Sequence, residues 1–197
     1  QAEYYGLPLV IYNIQTQAVI LKPLYCDVQP LSTPAQMAQV ALKTSSILIT
    51  QGASHIVLLI DREIRSECPP IIAANVEKEL SKRLAALNSK AIAKVVVKES
   101  TFENWLVADP QAFTPLGKMF PGHRSILGAV VPDKADNVNA IELLKRCSPR
   151  HHFDKIEGAK AICRHMDPSR AARNSRSLRR LLRVLGHPRY ARQSRHP

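Results

Sequence analysis

Five consecutive apolar residues, Ile56-Val57-Leu58-Leu59-Ile60, run directly into the acidic tripeptide Asp61-Arg62-Glu63. A short run that is continuously apolar, with no polar alternation, predicts a strand covered on both faces. Asp61 then stands at the carboxyl end of that strand, with Glu63 two positions on. Upstream, Ser32-Thr33-Pro34-Ala35-Gln36 carries a hydroxyl cap, a first-turn proline and an amide at capping-box distance. It predicts a helix running toward Gln51 and stopping at Gly52. Downstream, Cys68-Pro69-Pro70 opens a segment in which Ile72, Val76, Leu80 and Leu84 recur every four residues among Lys, Arg and Glu. That spacing predicts an amphipathic helix ending near Asn88. Ala91 to Val97 reads as the next strand, and Ser100-Thr101-Phe102-Glu103 opens a short helix through Trp105 and Leu106.

Alternation of strand and helix implies crossover connections and a mostly parallel sheet, whose functional groups gather at the carboxyl ends of the strands. The flanks extend this picture. Gln1 to Gly6 reads as the tail of a helix stopped by a glycine, so the chain is expected to continue upstream. Leu7 to Ile14 and Gln17 to Leu21 read as strands. The prolines and glycines between Pro110 and Lys134 predict a long loop or lid. Helices are expected over Asp136 to Arg146, Asp154 to His165 and Ser169 to Leu185, followed by a frayed basic end from His187 to Pro197. The expected organisation is thus an α/β core over 1–135, with its long loop at 110–135, and a basic helical extension over 136–197.

Charge is distributed in two blocks. Residues 1–144 carry 13 Lys+Arg against 13 Asp+Glu, whereas residues 145–197 carry 15 basic and 3 acidic side chains and account for the whole net charge of +12. A field concentrated in this way favours a polyanion, with DNA or RNA the usual partner. In the last predicted helix Leu178, Leu181, Leu182 and Leu185 form one face, with Arg173, Arg176, Arg179, Arg180 and Arg183 around the others. These arginines are the candidate nucleic-acid contacts. No apolar run approaches the ~20 residues that span a bilayer, and no secretory leader opens the sequence. A soluble, cytoplasmic protein without a membrane partner is expected. The cysteines (Cys26, Cys68, Cys147, Cys163) form no CxxC pair and read as reduced thiols.

Asp61 and Glu63 can be aimed at one point by a slight bend. Two close carboxylates repel unless a cation lies between them, and a hard divalent ion with oxygen ligands resolves that conflict. A helix-capping acid beside a solvated neighbour is the plainer alternative. Glu103 either closes a capping box with Ser100 or supplies a third carboxylate, a role for which Glu99 competes. Asp109 reads as a helix-ending turn residue. Zinc-type ligands at Cys147, His151, His152, Cys163 and His165 fit no standard finger spacing, and Cys163 lies on a packing face with Ile156, Ala159 and Met166. No glycine-rich phosphate loop or nucleophile elbow is present, so ATP hydrolysis would fall to a partner.

The apolar strand, Asp61-x-Glu63, Cys68-Pro69-Pro70, the long helix, the valine-rich strand, Glu103-Asn104-Trp105-Leu106-Val107-Ala108-Asp109 and Phe153-Asp154-Lys155 with two helices after it together resemble bacterial domain-of-unknown-function family 4276. That family is similar to Toprim domains, the Rossmann-like metal-binding fold of topoisomerases, primases and overcoming-lysogenization-defect nucleases. The resemblance implies a Toprim-like, mostly parallel sheet flanked by helices. It further implies a nuclease using Mg²⁺ or Mn²⁺ in antiphage defence, beside an ATPase of the recombination-repair type, with homo-oligomerisation left open. Asp61 and Glu63 would be the metal ligands and, with Glu103, the catalytic residues. The family pattern also places a glutamate after a preceding strand. Glu3 stands before the wrong strand to serve, so that residue is expected upstream of Gln1, or else the site is degenerate and the chain a non-catalytic binding or assembly subunit.

Overall fold

A computed structural model describes residues 2–14, 16, 18–62 and 64–190. By internal contacts they divide into two units, Leu21–Glu99 and Gln1–Ile20 with Ser100–Pro197. The expected boundary at 135/136 lies inside the second of these. Among the described residues no helix is long and apolar enough to cross a membrane.

In the second unit the chain opens with helix α1 (Ala2–Ile11). The predicted strand at Leu7 to Ile14 is therefore corrected, as is the predicted helix stop at Gly6. Ala2, Gly6, Leu7, Val10 and Ile11 are the buried residues of α1, a helical spacing that places them on one face. Burial of that face outweighs the strand preference of its β-branched and aromatic residues. A Cβ on Gly6 would lie 3.0 Å from Cys163 Sγ and 3.1 Å from the Phe102 ring, so glycine there permits close packing rather than a stop. Of the second predicted strand, Gln17 lies outside the described residues and residues 18–21 are not in a strand.

The sheet unit, Leu21–Glu99, follows the expected pattern closely. Helix α2 (Pro34–Thr50) starts at Thr33, whose N–H donates to Gln36 Oε1 (2.8 Å) while its Oγ1 accepts from Gln36 N (3.3 Å). It ends at Gly52, whose φ of +93° disfavours any side chain. Strand β1 (His55–Asp61), helix α3 (Pro69–Ala86) and strand β2 (Ile92–Lys98) form one crossover unit. The strands pair in parallel from His55↔Ile92 through to Asp61↔Lys98. The observed class is mixed α/β with a two-stranded parallel sheet flanked by helices, smaller than the multi-stranded sheet expected. Burial along β1 alternates. Ile56, Leu58 and Ile60 join Ala93, Val95 and Val97 in a core with Met37, Ala38 and Ala41 of α2 and Ile72, Ala73, Val76, Leu80 and Leu84 of α3. Each fully buried Leu, Ile or Val contributes about 1.5–3 kcal/mol, enough to hold a small sheet against its helices. Asp61 and Lys98, one residue out of phase with this core, fall on the opposite sheet face.

The helical unit is centred on α4 (Phe102–Val107), every residue of which is buried. The predicted lid at 110–135 is corrected to a packed segment, with a 3-10 turn at Pro110–Leu116 and helix α5 (Arg124–Ala129). Its anchor is aromatic: Phe113 and Phe120 meet edge to face at 5.2 Å, and Phe120 lies 6.3 Å from Phe153. Helix α6 (Ala140–Cys147) is capped by Asn139, and α7 (Glu157–His165) follows Asp154, whose Oδ1 accepts from Ile156 N (2.8 Å) and Glu157 N (2.9 Å). The helix expected over Ser169 to Leu185 is two, α8 (Pro168–Asn174) and α9 (Arg176–Val184), broken at the extended residue Ser175. His187 and Tyr190 are buried, and the rest of the predicted frayed end, 191–197, lies outside the described residues.

Candidate functional site

Parallel pairing in register makes Asp61 and Lys98, the last residues of β1 and β2, direct neighbours. Lys98 Nζ lies 2.9 Å from Asp61 Oδ1; the lysine side chain is 1% exposed and the aspartate 26%. Oδ1 itself is sealed from solvent, so the exposure of Asp61 falls on the rest of its side chain. The contact lacks the alignment of a directed hydrogen bond, which makes it a charge pair above all. Around it the loop after β1 is tied down by two arginines. Arg65 donates through Nη1 to the carbonyls of Asp61 (2.9 Å) and Arg62 (3.3 Å), and through Nη2 to that of Gln29 (2.9 Å). Arg62 extends the ladder by donating its N–H to Lys98 O (3.0 Å), and its Nη1 holds Glu99 at 2.8 Å. Glu99, the competitor for a catalytic role, is thus engaged by a guanidinium. Glu63 lies outside the described residues.

Glu103 belongs to the helical unit, and the capping alternative for it is corrected. The cap of α4 is Thr101, whose N–H and Oγ1 both reach Asn104 Oδ1, at 3.3 and 3.2 Å. Asn104 also donates to the carbonyls of Ala135 and Val138, each at 2.9 Å. Glu103 is 6% exposed, and its carboxylate faces Lys155 Nζ at 3.7 Å. Asp61 belongs to the sheet unit and Glu103 to the helical unit.

Of the candidate arginines, Arg173, Arg176 and Arg183 are exposed and Arg180 is half-buried. Arg179 is corrected. It is 6% exposed, donates to Ala172 O (2.7 Å) and Arg173 O (3.3 Å), and pairs with Asp133. Its guanidinium closes the carboxyl end of α8 against α9, where a backbone in need of donors competes with any phosphate.

A family model described as Domain of unknown function (DUF4276) matches residues 12–186. The chain belongs to this family. No curated protein and no solved structure matches it. In this DUF4276 chain the residues whose partners the sequence did not show are Lys98, Asp109 and Asp136. Lys98 carried a legible signal, as the lysine that closes a run of three valines at the same strand position as Asp61. Asp109, expected in a turn, is 1% exposed and bound by Arg170 Nε (3.0 Å), Arg170 Nη2 (2.8 Å) and Asp167 N (2.8 Å). The bonds from Arg170 to the Asp109 carboxylate raise the Arg170 pKa above its ordinary value. Asp136 accepts from Ser175 Oγ, Ser177 Oγ, Arg176 N and Ser177 N, and Trp105 Nε1 donates to the same Ser177 Oγ (2.7 Å). Cys163 is buried in the core, and desolvation pushes its thiol up to about 12, which leaves it protonated.

Proposed function

We propose that this chain is a Toprim-type, Mg²⁺- or Mn²⁺-dependent nuclease that acts on DNA or RNA phosphodiesters, working with an ATPase partner in antiphage defence. The supporting observation is Asp61 at the carboxyl end of a parallel strand, its side chain partly open to solvent, with Lys98 beside it and Arg65 on its backbone carbonyl. The donor chemistry fits a hard divalent ion: Asp61 offers carboxylate oxygen, and Glu63 follows two positions on in sequence. Such an ion supplies neutralisation of the phosphate and a water activated for attack. The chain's own residues would hold that ion (Asp61) and keep the strand exit rigid (Arg62, Arg65). Exposed Arg173, Arg176 and Arg183 would grip the backbone by charge and read little sequence.

A second reading, a non-catalytic nucleic-acid-binding or assembly subunit, is favoured by the same pair. Asp61 and Glu99 already face protein cations at 2.9 and 2.8 Å, so each of these carboxylates has a counter-ion as it stands. Incubation of labelled DNA and RNA with Mg²⁺, Mn²⁺ or chelator separates the two. Metal-dependent cleavage that is abolished in Asp61→Ala, with binding retained, supports the nuclease. Cleavage at the wild-type rate by Asp61→Ala overturns the assignment, and salt-sensitive binding without cleavage under any condition favours the subunit.

A further inference from the structure

We propose that Lys98 is a built-in counter-ion which a divalent cation must displace from Asp61, so that this lysine, a positioning residue, sets the metal affinity of the site. The inference rests on the metal-dependent reading above. Burying an ammonium group is costly unless a carboxylate compensates it. The Lys98 side chain is 1% exposed, and its Nζ sits 2.9 Å from an Asp61 oxygen that is also sealed from solvent. The pair is therefore built into the fold by strand register and is no passing surface contact. Its weak alignment matters equally, because what binds Lys98 to Asp61 is mainly Coulombic attraction, and attraction of that kind can be transferred to another ion. A dication arriving at the open side of Asp61 meets a positive charge a few ångströms away. Part of its binding energy is spent against that repulsion, and the ammonium group is released toward whatever anion accompanies the metal. A phosphodiester is an anion of the right charge, so substrate and metal would enter together more readily than metal alone.

Mn²⁺ binding by the full chain, followed by calorimetry and by the electron paramagnetic resonance signal of free Mn²⁺, tests this without reference to activity. Lys98→Met is expected to bind Mn²⁺ about tenfold more tightly than wild type, since one unit of nearby like charge is gone. Lys98→Arg, which keeps the charge, is expected to stay within about threefold of wild type, and Asp61→Asn to lose binding. A lysine with a purely structural role gives the opposite sign: Lys98→Met would bind equally or more weakly while wild type binds, and that result overturns the proposal but leaves the metal reading intact. Retention of wild-type affinity by Asp61→Asn, or no binding by any form, overturns both. Should Lys98→Met fail to fold, the wild type decides through the ¹⁵N resonance of Lys98 Nζ, assigned by its loss in Lys98→Arg. Movement during diamagnetic Mg²⁺ titration supports displacement, and an unchanged resonance through a saturable titration rules it out.

Discussion

Asp136 in the helical unit and Asp61 in the sheet unit are both carboxylates at the edge of a packed region, yet they are satisfied in contrasting ways. Asp136 is 7% exposed and takes four aligned donors, two hydroxyls and two backbone N–H groups at the start of α9. Asp61 has a buried oxygen beside one poorly aligned ammonium and keeps the rest of its side chain partly in solvent. A carboxylate whose acceptors are all filled by short, directed bonds serves architecture alone. One that is neutralised without being saturated retains capacity for a ligand. Asp109, held in a fork by Arg170, belongs with Asp136.

The largest effect is expected at Asp136→Ala, which strands two serine hydroxyls and two N–H groups in a buried setting. Loss of about 3 kcal/mol or more in urea unfolding is expected. A loss below about 1 kcal/mol would show that water replaces those bonds and would erase the contrast with Asp61. Next comes a pair of double-mutant cycles. The bidentate Asp109 and Arg170 are expected to couple by about 2–3 kcal/mol, and Asp61 and Lys98 by about 1 kcal/mol. Equal coupling would mean that Asp61 is bound into the architecture no less firmly than Asp109.

A smaller effect separates the arginines. Arg173→Ala and Arg176→Ala are expected to leave stability within about 0.5 kcal/mol and to lower the salt slope of nucleic-acid binding by about 1 each. Arg179→Ala should instead destabilise the fold through the carbonyls of Ala172 and Arg173. The smallest structural perturbation is chemical. At pH 8 an alkylating reagent should modify exposed Cys68 of the sheet unit quickly, and Cys163 of the helical unit only after unfolding, because its pKa of about 12 keeps the thiolate scarce. Rapid native-state labelling of Cys163 would show that the α1 face opens readily.

The sheet unit is legible in the sequence because its signals are local. Thr33 and Gln36 cap a helix within four residues, Gly52 stops it, and the spacing Ile72, Val76, Leu80, Leu84 marks a face that is buried as expected. Asp61 at a strand exit follows from Ile56 to Ile60 alone. The helical unit departs from its sequence pattern where long-range contacts decide. A segment with strand preference forms much of α1 because its spacing offers a face to the core. Ser175 breaks a strongly amphipathic helix because Asp136, 39 positions away, holds its hydroxyl. Arg179 looks like an outward cation because periodicity cannot see the carbonyls that end α8.

The short apolar run followed by Asp placed a carboxylate at the carboxyl end of a strand, and that much of the site was written in the sequence, although burial along β1 alternates where cover on both faces was expected. The family was too, since a match over residues 12–186 establishes it. What the carboxylate faces is a property of the folded chain alone. Strand register sets which residues of two distant segments meet, and α3, which connects the strands, packs on a face of the sheet they form, so the pairing of Asp61 with Lys98 exists only once the crossover has closed.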